Sequence, residues 1–216
     1  MTKNILNGGL RSIIKGYDFY FIDLWGVIHN GIQLHNKAIE TLYKISESKK
    51  DYILLTNAPR PNSSVQSFLK KMNMNKNMLE KVYTSGQAAL SYLIKNHFTD
   101  NFFHIGPPRD FDLFKTFENQ KVEKIESSEF LLCTGLFDDH ESELSFYEKL
   151  LLDHIKKKMI CTNPDLIVDR GEVREYCAGS VAKIFEDIGG EVVYFGKPYP
   201  EVYNQSTDIN KKKLLQ

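Results

Sequence analysis

A single carboxylate, Asp23, follows a run of aromatic and β-branched residues and precedes Leu24, Trp25 and Gly26. A buried strand that ends in aspartate and opens into a glycine turn can present a nucleophile or a metal ligand. Two residues after Asp23, where a second acid could act in general acid–base catalysis, the chain has its only tryptophan. The stretch therefore indicates a working catalytic site, an altered one, or only the end of a buried strand.

Two further groups of polar residues follow apolar runs. Thr56 and Asn57 end the run DYILLTN, and Lys197 follows the run EVVYFG. A hydroxyl and a lysine ammonium are groups that bind phosphoryl oxygens. Taken singly, Thr-Asn is also typical of a helix cap, and Gly-Lys-Pro of a turn with a surface lysine.

The elements that must position these residues follow from the order of the apolar runs. Short apolar runs alternate with segments of helical period, which predicts a parallel sheet flanked by helices. In such sheets the ligand lies at the carboxyl ends of the strands, where Asp23 and Thr56 both fall. The predicted helices are residues 36–49, 63–74, 141–158 and 174–188, and a strand is predicted to turn into a helix at Thr84-Ser85-Gly86.

Composition narrows the function classes. The chain has 216 residues, 42% of them hydrophobic, and its formal net charge is zero, so no overall charge favours nucleic acid or an anionic membrane as a partner. The cysteines Cys133, Cys161 and Cys177 form no C-x-x-C pair, which argues against a zinc site or a disulfide framework, and the first two are predicted to be buried. With no apolar leader or membrane-length run, the protein is predicted to be soluble and cytoplasmic.

Taken together and in order, Asp23, Thr56-Asn57 and Gly196-Lys197-Pro198 resemble the motifs of the haloacid dehalogenase-like (HAD) phosphohydrolase superfamily. The stretches TSGQAA (84–89), TNPD (162–165), AGSV (178–181) and FGKPYPEVY (195–203) resemble landmarks of its class IIA branch. The resemblance runs from about residue 18 to the end. It implies an α/β fold with a Rossmann-like three-layer core, a parallel sheet and an inserted α/β cap. The implied division is core 1–84, cap 85–189 and core 190–216, with the core truncated at the C-terminus.

The resemblance also implies a reaction. Asp23 would attack the phosphoryl group of a small phosphorylated substrate and form an aspartyl-phosphate that water hydrolyses. Thr56, Asn57 through its backbone N–H, and Gly26 would bind the phosphoryl oxygens, and Lys197 would offset the negative charge. Mg²⁺ would be held by Asp23 and the backbone carbonyl of Trp25.

In the implied cap, Asn163 and Asp165 of TNPD and the pair Gly179-Ser180 would face the substrate. The alternative for TNPD is a strand-ending turn. Arg60 would either meet a substrate anion or lie in a surface turn. His29 and His35 are expected to be solvated or helix-capping loop residues, and the alternative for both is a substrate contact.

Two departures from the family pattern bear on activity. Trp25 stands in place of the usual second acid, whose acid–base assistance is worth ~10²–10⁴ in rate. The carboxylates of the fourth motif are expected after KKKLL, where the given sequence ends, while Asp208 is expected in a helix C-terminus or turn. We therefore expect weak or absent Mg²⁺ binding and an impaired phosphatase. The alternative is a non-catalytic relative that binds a phosphorylated ligand or a protein partner, and a homo-oligomer is left open.

Overall fold

The computed structural model describes residues 9–214, and of residue 170 and residues 209–214 only the backbone. The strands are β1 Phe19–Ile22, β2 Asp51–Thr56, β3 Val82–Thr84, β4 Phe102–Ile105, β5 Lys121–Val122, β6 Phe130–Cys133, β7 Lys158–Cys161, β8 Ile167–Arg170, β9 Val173–Tyr176 and β10 Glu191–Tyr194. The α-helices are α1 Asn36–Glu47, α2 Asn62–Lys71, α3 Lys76–Leu79, α4 Ser85–Asn96, α5 Leu144–Leu151, α6 Ala178–Asp187 and α7 Pro200–Leu214. The predicted α/β class with parallel strands is confirmed. In this part of the chain no helix has both the length and the apolar character of a membrane span.

The described chain divides into two compact units. The first contains residues 9–56 and 66–83, and the second contains residues 57–65 and 84–214. The first unit is built on a sheet of order β1-β2-β3, in which β1 and β2 run parallel with Ile22 opposite Leu54. Leu54 and Leu55 of β2 are fully buried, as are Leu42 and Ile45 on the apolar face of α1. The apolar run of β2 therefore forms the centre of the first unit's core.

The second unit is built on a parallel sheet of order β10-β7-β6-β4-β5. Its central strands β6 and β7 are buried, which fits their continuous apolar sequences. Helices α5 and α6 cover this sheet with fully buried side chains, among them Tyr147, Leu151, Val181 and Phe185. Cys133 and Cys161 lie in the same core, and Cys177 is buried as well, so the predicted burial of the first two is confirmed.

Strand β10 differs from the prediction. Residues 190–216 are predicted to belong to the core with residues 1–84, but β10 pairs with β7 in the second unit's sheet, with Tyr194 opposite Cys161. A parallel neighbour needs a crossover connection, and α6 provides one between β7 and β10. An apolar run predicts a strand but does not specify which neighbour the strand pairs with. The domain boundaries 1–84, 85–189 and 190–216 otherwise stay a prediction.

All four predicted helices are shorter than expected, and the two in the second unit's sheet region differ most from the prediction. The helix predicted over 141–158 is α5 alone, followed by a 3₁₀ turn at Leu152–His154. The helix predicted near 174–188 begins at Ala178, because residues 173–176 form β9, which pairs with β8 in an antiparallel hairpin. Asp208 lies within α7 with an exposed side chain, and the helix continues beyond it.

Candidate functional site

Asp23 follows β1 directly and is partly buried. The chain then makes a compact turn, in which the N–H groups of Ile28 and His29 donate to the carbonyl oxygen of Leu24 at 2.8 and 3.2 Å. Gly26 has φ +74°, and its N–H donates to the carbonyl oxygen of His29 at 2.8 Å. The N–H of Gly26 is thus used within the turn, and its predicted contact with phosphate stays a prediction.

Thr56 ends β2, the parallel neighbour of β1, and is buried. Because Ile22 lies opposite Leu54, Asp23 and Thr56 come at the same carboxyl edge of the sheet. Neighbouring strands lie about 4.8 Å apart, so the carboxylate and the hydroxyl are presented by adjacent backbone segments. The first unit therefore places a carboxylate and a hydroxyl, of the kind that phosphoryl transfer needs, at the same edge of its sheet.

His29 is buried, so its prediction as a solvated or helix-capping residue was wrong. Its Nδ1 accepts from the N–H of Gly31 at 3.0 Å, which places the proton of the neutral ring on Nε2. The ring lies edge-on to those of Trp25 and Phe68, with centroids 5.4 and 5.8 Å away. Burial lowers the pKa of His29, His35 lowers it further, and the negative charge of Asp23 opposes both. His35 is the N-cap residue of α1 without a side-chain capping bond.

In the second unit, the start of α4 fixes the loop that follows Asn57. The hydroxyl of Ser85 and the N–H of Gly86 donate to the carbonyl oxygen of Ala58 at 3.0 and 3.1 Å. The hydroxyl of Thr84 donates to the carbonyl oxygen of Arg60 at 2.6 Å. A Cβ on Gly86 would lie 2.4 Å from the backbone nitrogen of Arg60, so only glycine fits there. The predicted turn at Thr84-Ser85-Gly86 is confirmed, and it also positions this loop.

Arg60 forms an ion pair, with its guanidinium 2.6 Å from Asp112. The hydroxyl of Ser64 donates to the same carboxylate at 2.9 Å. These hydrogen bonds, from Arg60 first and then from Ser64, lower the pKa of Asp112. The side chain of Arg60 therefore has an acidic partner within the second unit.

The side chain of Asn57 is the centre of the hydrogen bonds around Lys197. Its Oδ1 accepts from the backbone N–H of Lys197 at 2.7 Å, and its Nδ2 donates to the carbonyl oxygen of Lys197 at 3.0 Å. The same Nδ2 donates to Oδ1 of Asp165 at 2.8 Å. Asp165 is held in turn by its N–H, which donates to Oδ1 of Asn163 at 3.0 Å. The second unit thus brings Asn57, Asn163, Asp165 and Lys197 into one network.

Sequence reasoning assigned Asn57 a backbone contact to phosphate and missed the role of its side chain. The turn expected as the alternative for TNPD is present, because the Asn163 side chain accepts from the N–H of Asp165. Gly179 belongs to the packing around it, since a Cβ there would lie 2.3 Å from the carbonyl oxygen of Pro164. The substrate contacts predicted for Asn163, Asp165 and Gly179-Ser180 stay predictions.

Comparison with known proteins identifies the family. The family described as haloacid dehalogenase-like hydrolase matches residues 20–119. The crystal structure of a hydrolase of the haloacid dehalogenase-like family from Brucella suis is 30% identical, covers 96% of this chain and 79% of that one, and superposes with a TM-score of 0.84. The chain belongs to the haloacid dehalogenase-like hydrolase family. No curated protein matches it.

Two phosphatase structures share the HAD fold at lower identity. The 4-nitrophenylphosphatase from Thermotoga maritima is 23% identical with a TM-score of 0.68, and the alignment covers 92% of this chain and 76% of that one. The p-nitrophenyl phosphatase from Archaeoglobus fulgidus is 18% identical with a TM-score of 0.69, with 90% and 74% covered. At these identities the likeness shows the fold alone.

The family resemblance implies a metal site around Asp23. Within residues 9–214, no group of three or more His, Cys, Asp or Glu side chains is arranged to hold a metal ion. Mg²⁺ is commonly bound through one or two carboxylates together with substrate phosphates and waters. Asp23 supplies one candidate carboxylate, and the described residues do not complete a site around it. Weak Mg²⁺ binding stays a prediction, as does the convergence of Asp23, Thr56 and Lys197.

Proposed function

We propose that this HAD-like hydrolase is a class IIA phosphatase that acts on a small phosphorylated metabolite through an aspartyl-phosphate. The observation that carries the proposal is the placement of Asp23 and Thr56 at the same carboxyl edge of two neighbouring parallel strands. The Asp23 carboxylate can attack a phosphoryl group there, while the Thr56 hydroxyl can donate to one of its oxygens. The three buried free cysteines support the cytoplasm as its compartment, because thiols persist in a reducing environment.

The reaction has two steps. In the first, a carboxylate oxygen of Asp23 forms a bond to phosphorus as the bond to the leaving-group oxygen breaks. In the second, water attacks phosphorus, which releases inorganic phosphate and restores the carboxylate. We assign Lys197 the role of offsetting the negative charge of the phosphoryl group.

The proposed cofactor is Mg²⁺, for which Asp23 and the backbone carbonyl of Trp25 are our candidate ligands. When bound, such an ion would reduce the repulsion between an anionic carboxylate and an anionic phosphate.

The choice of leaving group follows from Trp25. An alkoxide leaving group needs a proton, which the indole in the position of the usual acid cannot supply to it. The p-nitrophenolate ion leaves without one. We therefore expect turnover of p-nitrophenyl phosphate and slower turnover of alkyl phosphates, by ~10²–10⁴-fold where protonation limits the rate.

The decisive experiment measures phosphate release from p-nitrophenyl phosphate and from an alkyl phosphate, with and without Mg²⁺. Asp23→Asn should abolish turnover of both, and Trp25→Asp should raise turnover of the alkyl phosphate selectively. Asp18→Asn is the matched control, because Asp18 is an exposed carboxylate paired with Lys50. Turnover that survives Asp23→Asn contradicts the proposal.

A second candidate function rests on Trp25 itself. Its ring packs beside the buried ring of His29, so the position of the acid is used for packing. A non-catalytic relative would still bind a phosphorylated ligand or a protein partner. Binding of inorganic phosphate or vanadate that weakens in Thr56→Val, without turnover of either substrate, would favour this candidate.

A further inference from the structure

We propose that Asn57 is a positioning residue, whose side-chain amide holds the backbone of Lys197 and thereby sets the place of the Lys197 ammonium. In this proposal Asp165 orients the amide. The inference rests on the proposed function, in which Lys197 offsets the charge of the phosphoryl group. It assigns Asn57 a role beyond the backbone contact expected from the sequence.

The chemistry of the partners requires an amide at position 57. The backbone N–H of Lys197 can only donate a hydrogen bond, and the backbone carbonyl of Lys197 can only accept one. An ionised carboxylate, as on Asp165, can also only accept. Asn57 bonds all three groups. Its Oδ1 lies 2.7 Å from the backbone nitrogen of Lys197, and its Nδ2 lies 3.0 Å from the carbonyl oxygen of Lys197 and 2.8 Å from Oδ1 of Asp165. The partners therefore fix which way the amide points, and neither aspartate nor alanine can replace it.

The surroundings leave the amide little freedom. Asn57 is 7% exposed, so a lost partner is poorly replaced by water. Its acceptor in the TNPD turn is fixed by the Asx bond between Asn163 and Asp165. A Cβ on Gly196 would lie 2.7 Å from the Asn57 oxygen and 2.6 Å from Cδ of Pro164, so the chain before Lys197 approaches closely only because it is glycine.

The ammonium of Lys197 stands at the end of a flexible four-carbon side chain. Its position therefore depends on where the backbone of Lys197 is held. Asn57 binds both backbone groups of that one residue, the N–H and the carbonyl oxygen. Because Asn57 directly follows Thr56, the residue that holds Lys197 is covalently joined to the residue proposed to bind phosphate. Loss of the amide should therefore act on the reaction through Lys197.

A double-mutant cycle on the full chain tests this. Asn57→Ala should lower kcat for p-nitrophenyl phosphate on the order of 10²-fold, the size expected when a reacting group is misplaced by about 1 Å, with a smaller change in KM. In the Lys197→Ala background the same substitution should cost less than about two-fold, because the two effects share one path. Equal losses in both backgrounds would overturn the proposal. Ser128→Ala, which removes another buried side-chain bond in the same unit, is the control for general destabilisation.

Amide hydrogen exchange keeps the test independent of activity. Asn57→Ala should speed exchange of the Lys197 amide while leaving the amides of β6 protected, and an unchanged Lys197 rate would overturn the proposal. If the parent chain shows no turnover, the proposed function fails, and the exchange rate still decides whether Asn57 holds Lys197.

Exchanging the amide of residue 57 and the carboxylate of residue 165 keeps the proposal testable if Asn57→Ala fails to fold. Asn57→Asp would set two carboxylates against each other, and adding Asp165→Asn should restore part of the Lys197 protection and of kcat. No recovery in the double variant would contradict the role of Asp165.

Discussion

Asp110→Asn should stabilise the second unit at neutral pH and make its stability sensitive to acid. Asp110 and His104 are buried at 5% and 7% exposure, on either side of Thr134. The His104 Nε2 lies 2.8 Å from the hydroxyl of Thr134, which also hydrogen-bonds Asp110. Burial raises the pKa of Asp110 to about 6, against the opposing effects of Thr134 and Arg109. Burial, with a smaller effect of Lys121, lowers the pKa of His104 to about 4.

These two shifts act on stability in opposite directions. The folded-state pKa of Asp110 is raised, so its stabilising contribution is complete below its ordinary value of 3.8 and is lost as pH rises through about 6. The folded-state pKa of His104 is lowered, so its contribution is complete above 6.5 and is lost as pH falls through about 4. At about 1.4 kcal/mol per pKa unit, each shift corresponds to about 3 kcal/mol. In the parent chain the effects of Asp110 and His104 on the pH dependence of stability should nearly cancel between about pH 4 and 6.

Without the Asp110 carboxylate, the pH dependence of stability should come from His104 alone of this pair. Asp110→Asn should be more stable than the parent at pH 7 by up to about 3 kcal/mol, since a neutral amide avoids the cost of a buried charge. The gain should shrink as pH falls towards 4. Hydrogen exchange of the amides of β4 and β6, followed against pH, measures this unit separately from the first. Asp153→Asn, at an exposed carboxylate of the same unit, is the control. A variant no more stable than the parent at pH 7, or a gain that does not change with pH, would refute the reasoning.

The remaining predictions concern packing and hydrogen bonds. Gly86→Ala should destabilise the chain by about 1–3 kcal/mol, because its Cβ would meet the Arg60 backbone. Gly16→Ala, with nothing within 4 Å of the new Cβ, should stay within about 0.5 kcal/mol, as chemical denaturation would show. Tyr147→Phe should cost about 1–3 kcal/mol by the same measurement, because the Phe137 N–H now donates to the Tyr147 hydroxyl at 2.7 Å. An unchanged midpoint for Gly86→Ala or Tyr147→Phe would contradict the corresponding contact.

The features predicted correctly from the sequence are local ones. The apolar run before Asp23 and the run ending at Thr56 form strands, and residues 36–49 contain α1. These elements are predictable because the spacing of apolar residues depends only on nearby positions in the sequence. The common edge of Asp23 and Thr56 follows from a general property of parallel sheets.

The features that were missed depend on residues far apart in sequence. Asn57 meets its partners Asp165 and Lys197 across 108 and 140 residues, and no local pattern specifies those pairs. Strand β10 pairs with β7, about 30 residues earlier in the chain, and the apolar run of β10 does not specify that partner. His29 is buried because the turn after Asp23 folds back and brings its ring beside those of Trp25 and Phe68.

Trp25 shows how packing and chemistry compete at one position. A carboxylate there would lie near the neutral ring of His29, whose Nδ1 is already used by the N–H of Gly31. The Trp25 ring fills the space beside Gly31, where a Cβ would come within 2.9 Å of it. Replacing the indole with a short acid removes this ring contact, worth about 0.5–1.5 kcal/mol for an aromatic pair. It also leaves space that the turn must fill. The gain in acid–base catalysis expected from Trp25→Asp therefore comes with a less stable turn around Asp23.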